Sequence, residues 1–292
     1  MLFQKYNHCL KVMVAFCCLF IFNADLDANK IEPAKHITKN TKNMLLAILG
    51  RLENLNDLRV KYIRGDAKES ANKKEAVFVV GMPRSGTSCV AGVLQILGVD
   101  FGKNLFPANQ FNEKGYFEDY FVHKMTWEML HALQMTTAHP RIIDWAREPK
   151  KEEFKIKAKD FMRKFNNKSF GIKLPDASFV LPVYLESMQE LGYTPKLIIV
   201  LRDPDEIVQS WRKRWNISEP ETYAALSKLY LNIIRYGQEH DALAIYFDDI
   251  LTDTEAVVNR LNNFIAGLKS YDEVKEELAA FIDVQLKHHK AS

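Results

Sequence analysis

What the chain lacks narrows its class. Of its 292 residues only four are cysteine, and Cys9, Cys17 and Cys18 all fall within the first twenty positions. Cys89 alone remains for the body, which excludes an internal disulfide there and slightly favours a reducing, cytoplasmic compartment without excluding a secretory one. Histidine and cysteine never fall at metal-ligand spacing, so no metal is expected. An excess of one charge is missing too. The net charge is +3, which gives no reason to expect nucleic acid as a partner. Internal repeats and low-complexity tracts are absent. Nor is there a run long enough for a comfortable membrane span: the apolar residues 12–22 would rise about 16 Å as a helix, against about 30 Å of bilayer core.

That apolar run, with Lys5 and Lys11 near it, supports three readings. It is a cleaved signal peptide, although Asn23-Ala24-Asp25 makes a poor cleavage site; or a short membrane anchor through residues 10–22; or neither. Membrane-anchored and secretory locations therefore stay open beside a cytoplasmic one. Residues 25–75 are polar, and within them Leu45, Ile48, Leu49, Leu52, Leu55 and Leu58 share one helical face. Packing of that face on the main domain is preferred over a self-associating stalk. Residues 66–75 read as a charged linker. The chain thus divides into an N-terminal segment, 1–75, and a domain, 76–292. Its oligomeric state is not indicated.

The body has the 47% hydrophobic content of a chain able to bury a core. It is organised around residues 77–98, V-F-V-V-G-M-P-R-S-G-T-S-C-V-A-G-V-L-Q-I-L-G. Val77 to Val80 predict a buried strand. Gly81 and Gly86 bound a turn, and Val90, Val93, Leu94 and Leu97 recur at helical spacing. Strand, glycine turn and helix start together cradle an anion, because backbone N–H groups converge and the helix adds partial positive charge. A nucleotide-triphosphate loop carries Lys before its last hydroxyl. Here Thr87 stands in that place, while Arg84, Ser85 and Ser88 supply a cation and further hydroxyls. That set suits a tetrahedral oxyanion better than a magnesium triphosphate.

Farther along, 169–176 predicts a short strand ending at Lys173 and then a turn, and 196–202 a central strand ending at Arg202, followed by Asp203-Pro204 and a helix carrying Ser210. Ligands of open α/β sheets sit beyond the carboxyl ends of the strands, where both cations fall. Helices are predicted over 122–133, 150–168, 219–240, 254–267 and 271–288, and a further strand over 242–247. Eight of the nineteen residues from 150 to 168 are Lys or Arg, which reads as a solvated face, or else as a cationic rim for an acidic acceptor. Glu118 and Asp119 precede the helix at 122, where either could serve the cap or the dipole. Phe111, Tyr116, Phe117 and Tyr120 are a ring-stacking surface or ordinary core.

Taken together these segments resemble sulfotransferases. G-M-P-R-S-G-T-S after a strand is similar to their 5′-phosphosulfate loop. N-E-K-G-Y-F-E-D at 112–119 is similar to the N-x-x-G-[FY]-x-E segment of one branch, which acts on carbohydrate. K-L-P at 173–175, R-D-P-x-x-x-x-x-S at 202–210 and Y-F-D-D-I-L at 246–251 follow in the expected order. The late R-x-G element of some cytosolic members is not evident. The resemblance implies an α/β three-layer sandwich with a mainly parallel central sheet, the P-loop NTPase-like sulfotransferase fold. It implies 3′-phosphoadenosine 5′-phosphosulfate as co-substrate, without metal, and an acceptor hydroxyl or amine. Arg84, Ser85, Gly86, Thr87 and Ser88 would hold the phosphosulfate; Arg202 and Ser210 would hold the 3′-phosphate. Arg84 and Lys173 would offset charge on the bridging oxygen, and Glu118, or else His123, would take the acceptor proton. A P-loop kinase, which would want the missing Lys and a magnesium Asp, and a non-catalytic nucleotide-binding relic are the rival readings.

Overall fold

A computed structural model describes residues 74–166 and 168–282. The apolar run 12–22, the leucine face 45–58 and the stretch expected to carry the last helix to His288 lie outside the described residues.

Four strands form one parallel sheet: β1 (Glu75–Val80), β2 (Phe170–Lys173), β3 (Thr194–Leu201) and β4 (Asp241–Tyr246), in the order β2-β1-β3-β4. β1 is buried along its whole length, as a strand covered by helices on both faces must be, and its apolar run reflects that. Val79 pairs with Lys173 on one side and Ile198 on the other. β1 therefore lies between the two strands that carry the predicted cations. Parallel strands need long crossovers, and helices α1 (Thr87–Ile96), α2 (Tyr120–Ala132), α3 (Lys151–Met162), α4 (Leu181–Glu190), α5 (Pro204–Trp215), α6 (Glu219–Glu239), α7 (Phe247–Thr252), α8 (Thr254–Phe264) and α9 (Tyr271–Phe281) lie along them and after β4.

Alternation along β1 separates two cores. Ala76, Phe78 and Val80 face a core with residues of α2 to α6, whereas Val77 and Val79 face one with α1 and α7 to α9. The result is three layers. Each fully buried large apolar side chain contributes about 1.5–3 kcal/mol, so these strand residues hold the sheet ends where they are.

Several helices end earlier than their periodicity predicts. The helix expected over 150–168 is α3 plus a 3-10 turn, Arg163–Phe165, stopped by Asn166 in the left-handed region at φ 49°. α8 stops at Phe264 because Ile265 is extended. Lysines of α3 neither form an open rim nor simply face solvent. Lys151 meets Glu186 at 2.5 Å, Lys155 meets Glu186 at 3.3 Å and also pairs with Glu190, and Lys159 meets Glu190 at 2.7 Å. These pairs clasp α3 to α4. No helix among the described residues is long and apolar enough to cross a membrane.

Candidate active site

The strand order reverses direction at β1 and β3, and the crevice beyond their carboxyl ends is where open α/β sheets take ligands. Residues 81–86 occupy it. Gly81 has φ 152°, and a Cβ there would lie 2.7 Å from the Val200 carbonyl oxygen. Gly86 caps α1 at φ 94°, where a Cβ would lie 2.2 Å from the Phe247 ring. Both positions need glycine for conformation and for space. The loop is tied down from outside. Gly81 N–H donates to Ser178 Oγ at 3.3 Å, and Trp211 Nε1–H donates to the Pro83 carbonyl at 2.9 Å. Between them Arg84 has φ 76°, unusual for a residue with a side chain. Such a conformation persists only where its surroundings hold it, and functional loops are where it gathers.

Arg84 Nε donates to Ser210 Oγ at 3.0 Å, and Nη1 reaches the Phe111 carbonyl at 3.5 Å. Its backbone carbonyl accepts from Arg202 Nη1 at 3.0 Å. The two predicted grips are thus one contiguous surface. Burial first, then the neighbouring charges of Arg202 and Arg214, push the Arg84 guanidinium below its usual value. Convergent guanidiniums relieve one another only when an anion comes between them. Glu206 offsets Arg202 at 2.7 Å, and the Phe247 ring lies 5.1 Å from the Arg202 guanidinium. Even so, Arg202 Nη2 is buried with no hydrogen-bond partner, and so is Ser85 Oγ inside the loop. Buried polar atoms are rarely left unpaired. Two of them at one anion-binding crevice fit a ligand with phosphate-type oxygens.

On the β2 side, Lys173 Nζ lies 2.5 Å from Glu118 Oε1 and donates to Ser88 Oγ at 3.0 Å. Asn112 Nδ2 donates to the same hydroxyl at 3.0 Å. The capping question resolves one residue at a time. Asp119 is the N-cap of α2 and accepts from Phe121 N and Val122 N, so the helix begins at Tyr120 rather than Val122. Glu118 is left to pair with Lys173. Asp203, likewise, caps α5 and accepts from Asp205 N and Glu206 N, which makes it no natural magnesium ligand. Among the described residues no group of His, Cys, Asp and Glu is arranged to hold a metal ion.

The structure therefore brings Arg84, Ser88, Glu118, Lys173, Arg202 and Ser210 together, with Ser85, Gly86 and Thr87 in the loop that joins them. The His123 ring, on α2, meets Phe106 edge-on at 4.9 Å. Asn112, Ser178, Trp211 and Phe247 also support the site. Asn112 opens the N-E-K-G segment, which was a usable signal; Ser178 and Trp211 act on the loop from 97 and 128 residues away, and nothing local marks Ser178, while Trp211, which the basic stretch W-R-K-R-W at 211–215 offers for stacking on adenosine, is buried and bonds the loop instead.

Parallel strand order, a glycine loop after the first strand and a helix opening directly from it define a P-loop-like α/β protein. Within that class the chain belongs to the Sulfotransferase family, whose sequence profile matches residues 76–273. Among solved structures, the sulfotransferase domain of the Synechococcus PCC 7002 olefin synthase is 14% identical, with 77% of this chain and 87% of that chain covered and a TM-score of 0.41. The sulfotransferase domain from the curacin biosynthetic pathway is 16% identical, covering 66% and 74%, at 0.37. Sulfotransferase STF1 of Mycobacterium tuberculosis H37Rv is 11% identical, covering 82% and 79%, at 0.41. No curated protein sequence matches the chain significantly.

Proposed function

We propose that this sulfotransferase moves a sulfonate from 3′-phosphoadenosine 5′-phosphosulfate to an acceptor hydroxyl or amine, with a carbohydrate as the favoured acceptor. One observation carries the reading: Arg202 bonds the Arg84 backbone through Nη1 while its Nη2 stays buried and unpaired. A guanidinium so fixed has its whole Nη2 amino group left for an oxyanion, next to a loop that has a second orphan, Ser85 Oγ. Two adjoining anion grips suit a ligand phosphorylated at two ends.

The donor supplies an activated sulfur whose bond to a phosphate oxygen breaks during transfer. This chain's residues divide the remaining work. Arg84, Thr87 and Ser88, with the loop N–H groups, hold the phosphosulfate. Arg202 and Ser210 hold the 3′-phosphate. Lys173 offsets the negative charge that grows on the bridging oxygen, where fixed cations act most strongly. Glu118, ordered by the same ammonium, accepts the acceptor proton as the new S–O bond forms. The leaving group is adenosine 3′,5′-bisphosphate.

Calorimetric titration of the full chain tests the donor. Adenosine 3′,5′-bisphosphate should bind without magnesium and more tightly than adenosine 5′-phosphate. Preferred binding of magnesium ATP would refute the reading.

A further inference from the structure

Asn112 stands where the anion loop meets the segment that carries Glu118. Its backbone is fully used. Asn112 N–H donates to the Asn109 carbonyl at 2.9 Å, and its own carbonyl accepts from Asn109 N and from Gly115 N, each at 3.2 Å. Asn109 Oδ1 braces the same turn, accepting from Phe111 N and from Tyr116 Oη, each at 2.9 Å. A turn bonded in this way fixes where the Asn112 side chain goes, and its Nδ2 donates to Ser88 Oγ at 3.0 Å.

The bonds of the Ser88 hydroxyl can be counted. A serine hydroxyl has one proton to donate and two lone pairs to accept with. Lys173 Nζ and Asn112 Nδ2 fill the lone pairs, each at 3.0 Å. Only the proton is left, and the Tyr116 carbonyl accepts it at 3.5 Å. A carbonyl cannot donate, so the Asn112 amide must present its nitrogen to Ser88 rather than its oxygen. The Tyr116 bond is at the long limit of hydrogen bonding, and a stronger acceptor would displace it. Arg84 Nη1 is held in the same loose way, by the Phe111 carbonyl at 3.5 Å. Two donors on Oγ, one of them charged, polarise the hydroxyl and strengthen the bond that its proton makes.

We infer that Asn112 is a positioning residue: together with Lys173 it fills the accepting side of Ser88 Oγ, so that the hydroxyl can meet the 5′-phosphosulfate only as a donor. The inference rests on the sulfonate-transfer reading and adds to its 5′ grip a residue from outside the loop. A phosphosulfate oxygen takes the place of the Tyr116 carbonyl as the acceptor. Without the Asn112 amide, Ser88 has a vacant lone pair and its proton is no longer committed to the ligand.

Calorimetric titration of the full chain with adenosine 3′,5′-bisphosphate, adenosine 5′-phosphate and adenosine 3′-phosphate tests this, in wild type, Asn112→Ala, Ser88→Ala and the double variant. Asn112→Ala should weaken the two ligands that carry a 5′-phosphate about three- to tenfold, as loss of one hydrogen bond allows, and leave adenosine 3′-phosphate within about twofold. Once Ser88→Ala has removed the hydroxyl, adding Asn112→Ala should weaken binding no further. Unchanged binding by Asn112→Ala, equal weakening of all three nucleotides, or the same loss with and without the Ser88 hydroxyl would overturn the role, the last two by showing a brace for the turn and nothing more. Asn112→Asp keeps the size but can only accept, so it draws the Ser88 proton to itself and should weaken the 5′-phosphate ligands at least as much. Full affinity in that variant would overturn the role even if Asn112→Ala folds poorly. A wild-type chain that binds none of the three nucleotides would instead refute the donor reading.

Discussion

Replacing Lys173 by Met removes the ammonium and keeps the stem, so it separates the residue's part in folding from its part in chemistry. In the native chain Nζ lies 2.5 Å from Glu118 Oε1 and 3.0 Å from Ser88 Oγ, with the Lys173 and Glu118 side chains 2% and 13% exposed. Lys173→Met leaves a largely buried carboxylate without its partner. Breaking a buried pair from one side costs about 3–5 kcal/mol, and the residual exposure of Glu118 places this case near about 3 kcal/mol. A domain of this size loses about 2–4 °C of Tm per kcal/mol, so Tm should fall by about 6–12 °C. Adding Glu118→Gln removes the orphaned charge, and the double variant should recover most of that fall. Turnover should not follow stability. It should drop about 10²–10³-fold in the single variant, as for loss of a fixed charge aimed at a transition state, and stay low in the double. Circular-dichroism melting and a labelled sulfonate-transfer assay read the two quantities. A double variant that melts as low as the single, or a single variant with full turnover, would refute the reasoning.

Gly86→Ala puts a methyl 2.2 Å from the Phe247 ring at φ 94°; it should cost about 2 kcal/mol or more and weaken adenosine 3′,5′-bisphosphate at least about tenfold, while unchanged melting and calorimetry would show that the loop adapts freely. Ser210→Ala removes the acceptor of the 3.0 Å Arg84 bond; titration should show bisphosphate weakened about five- to tenfold with adenosine 5′-phosphate little changed, and equal losses would contradict the 3′-phosphate role. Lys155→Met should destabilise by about 2 kcal/mol, because burial opposes the Lys155 charge and Glu190, Glu152 and Glu186 overcome that to hold it above its usual value. In return Lys155 and Lys159 hold Glu190 below its ordinary value of 4.5; a depressed carboxyl stabilises above its unfolded value and loses that as pH falls through the folded one. Urea unfolding across pH 5 to 3 should therefore show a steeper loss in wild type than in Lys155→Met, and coincident slopes would exclude the clasp as the cause.

The parts of the site written in consecutive residues were legible in the chain. An apolar run, two glycines and a helical repeat are local signals, and they locate β1, the loop and α1. The carboxyl ends of β2 and β3 were legible for the same reason, since Lys173 and Arg202 each close an apolar stretch. Glu118 and Asp119 were not separable, because both are acidic residues at a helix start. Only one could take the cap, and the choice depends on a lysine 55 residues away. The lysines of α3 looked like a solvated face because their partners, Glu186 and Glu190, lie on another helix.

The missing loop lysine now has a physical explanation. Thr87, at the position where a triphosphate loop carries Lys, is 3% exposed at the start of α1, and a long cationic stem has no place there. The ammonium comes instead from the neighbouring strand: Lys173 pairs in register with Val79, two residues before Gly81, and its Nζ reaches Ser88, the residue after Thr87. From the opposite flank, Arg202 follows the last residue of β3 and binds the backbone of Arg84. The loop after β1 thus receives one cation from each adjacent strand, which is an arrangement only a central parallel strand permits. Moving either cation would require a change in strand order rather than a change in the loop. A Thr87→Lys substitution would therefore bring an ammonium toward Lys173, and like charges so close in a buried site oppose one another. It should lower both Tm and bisphosphate affinity. Tighter magnesium ATP binding by Thr87→Lys with unchanged Tm would show that the loop itself, and not its flanking strands, determines which anion is held.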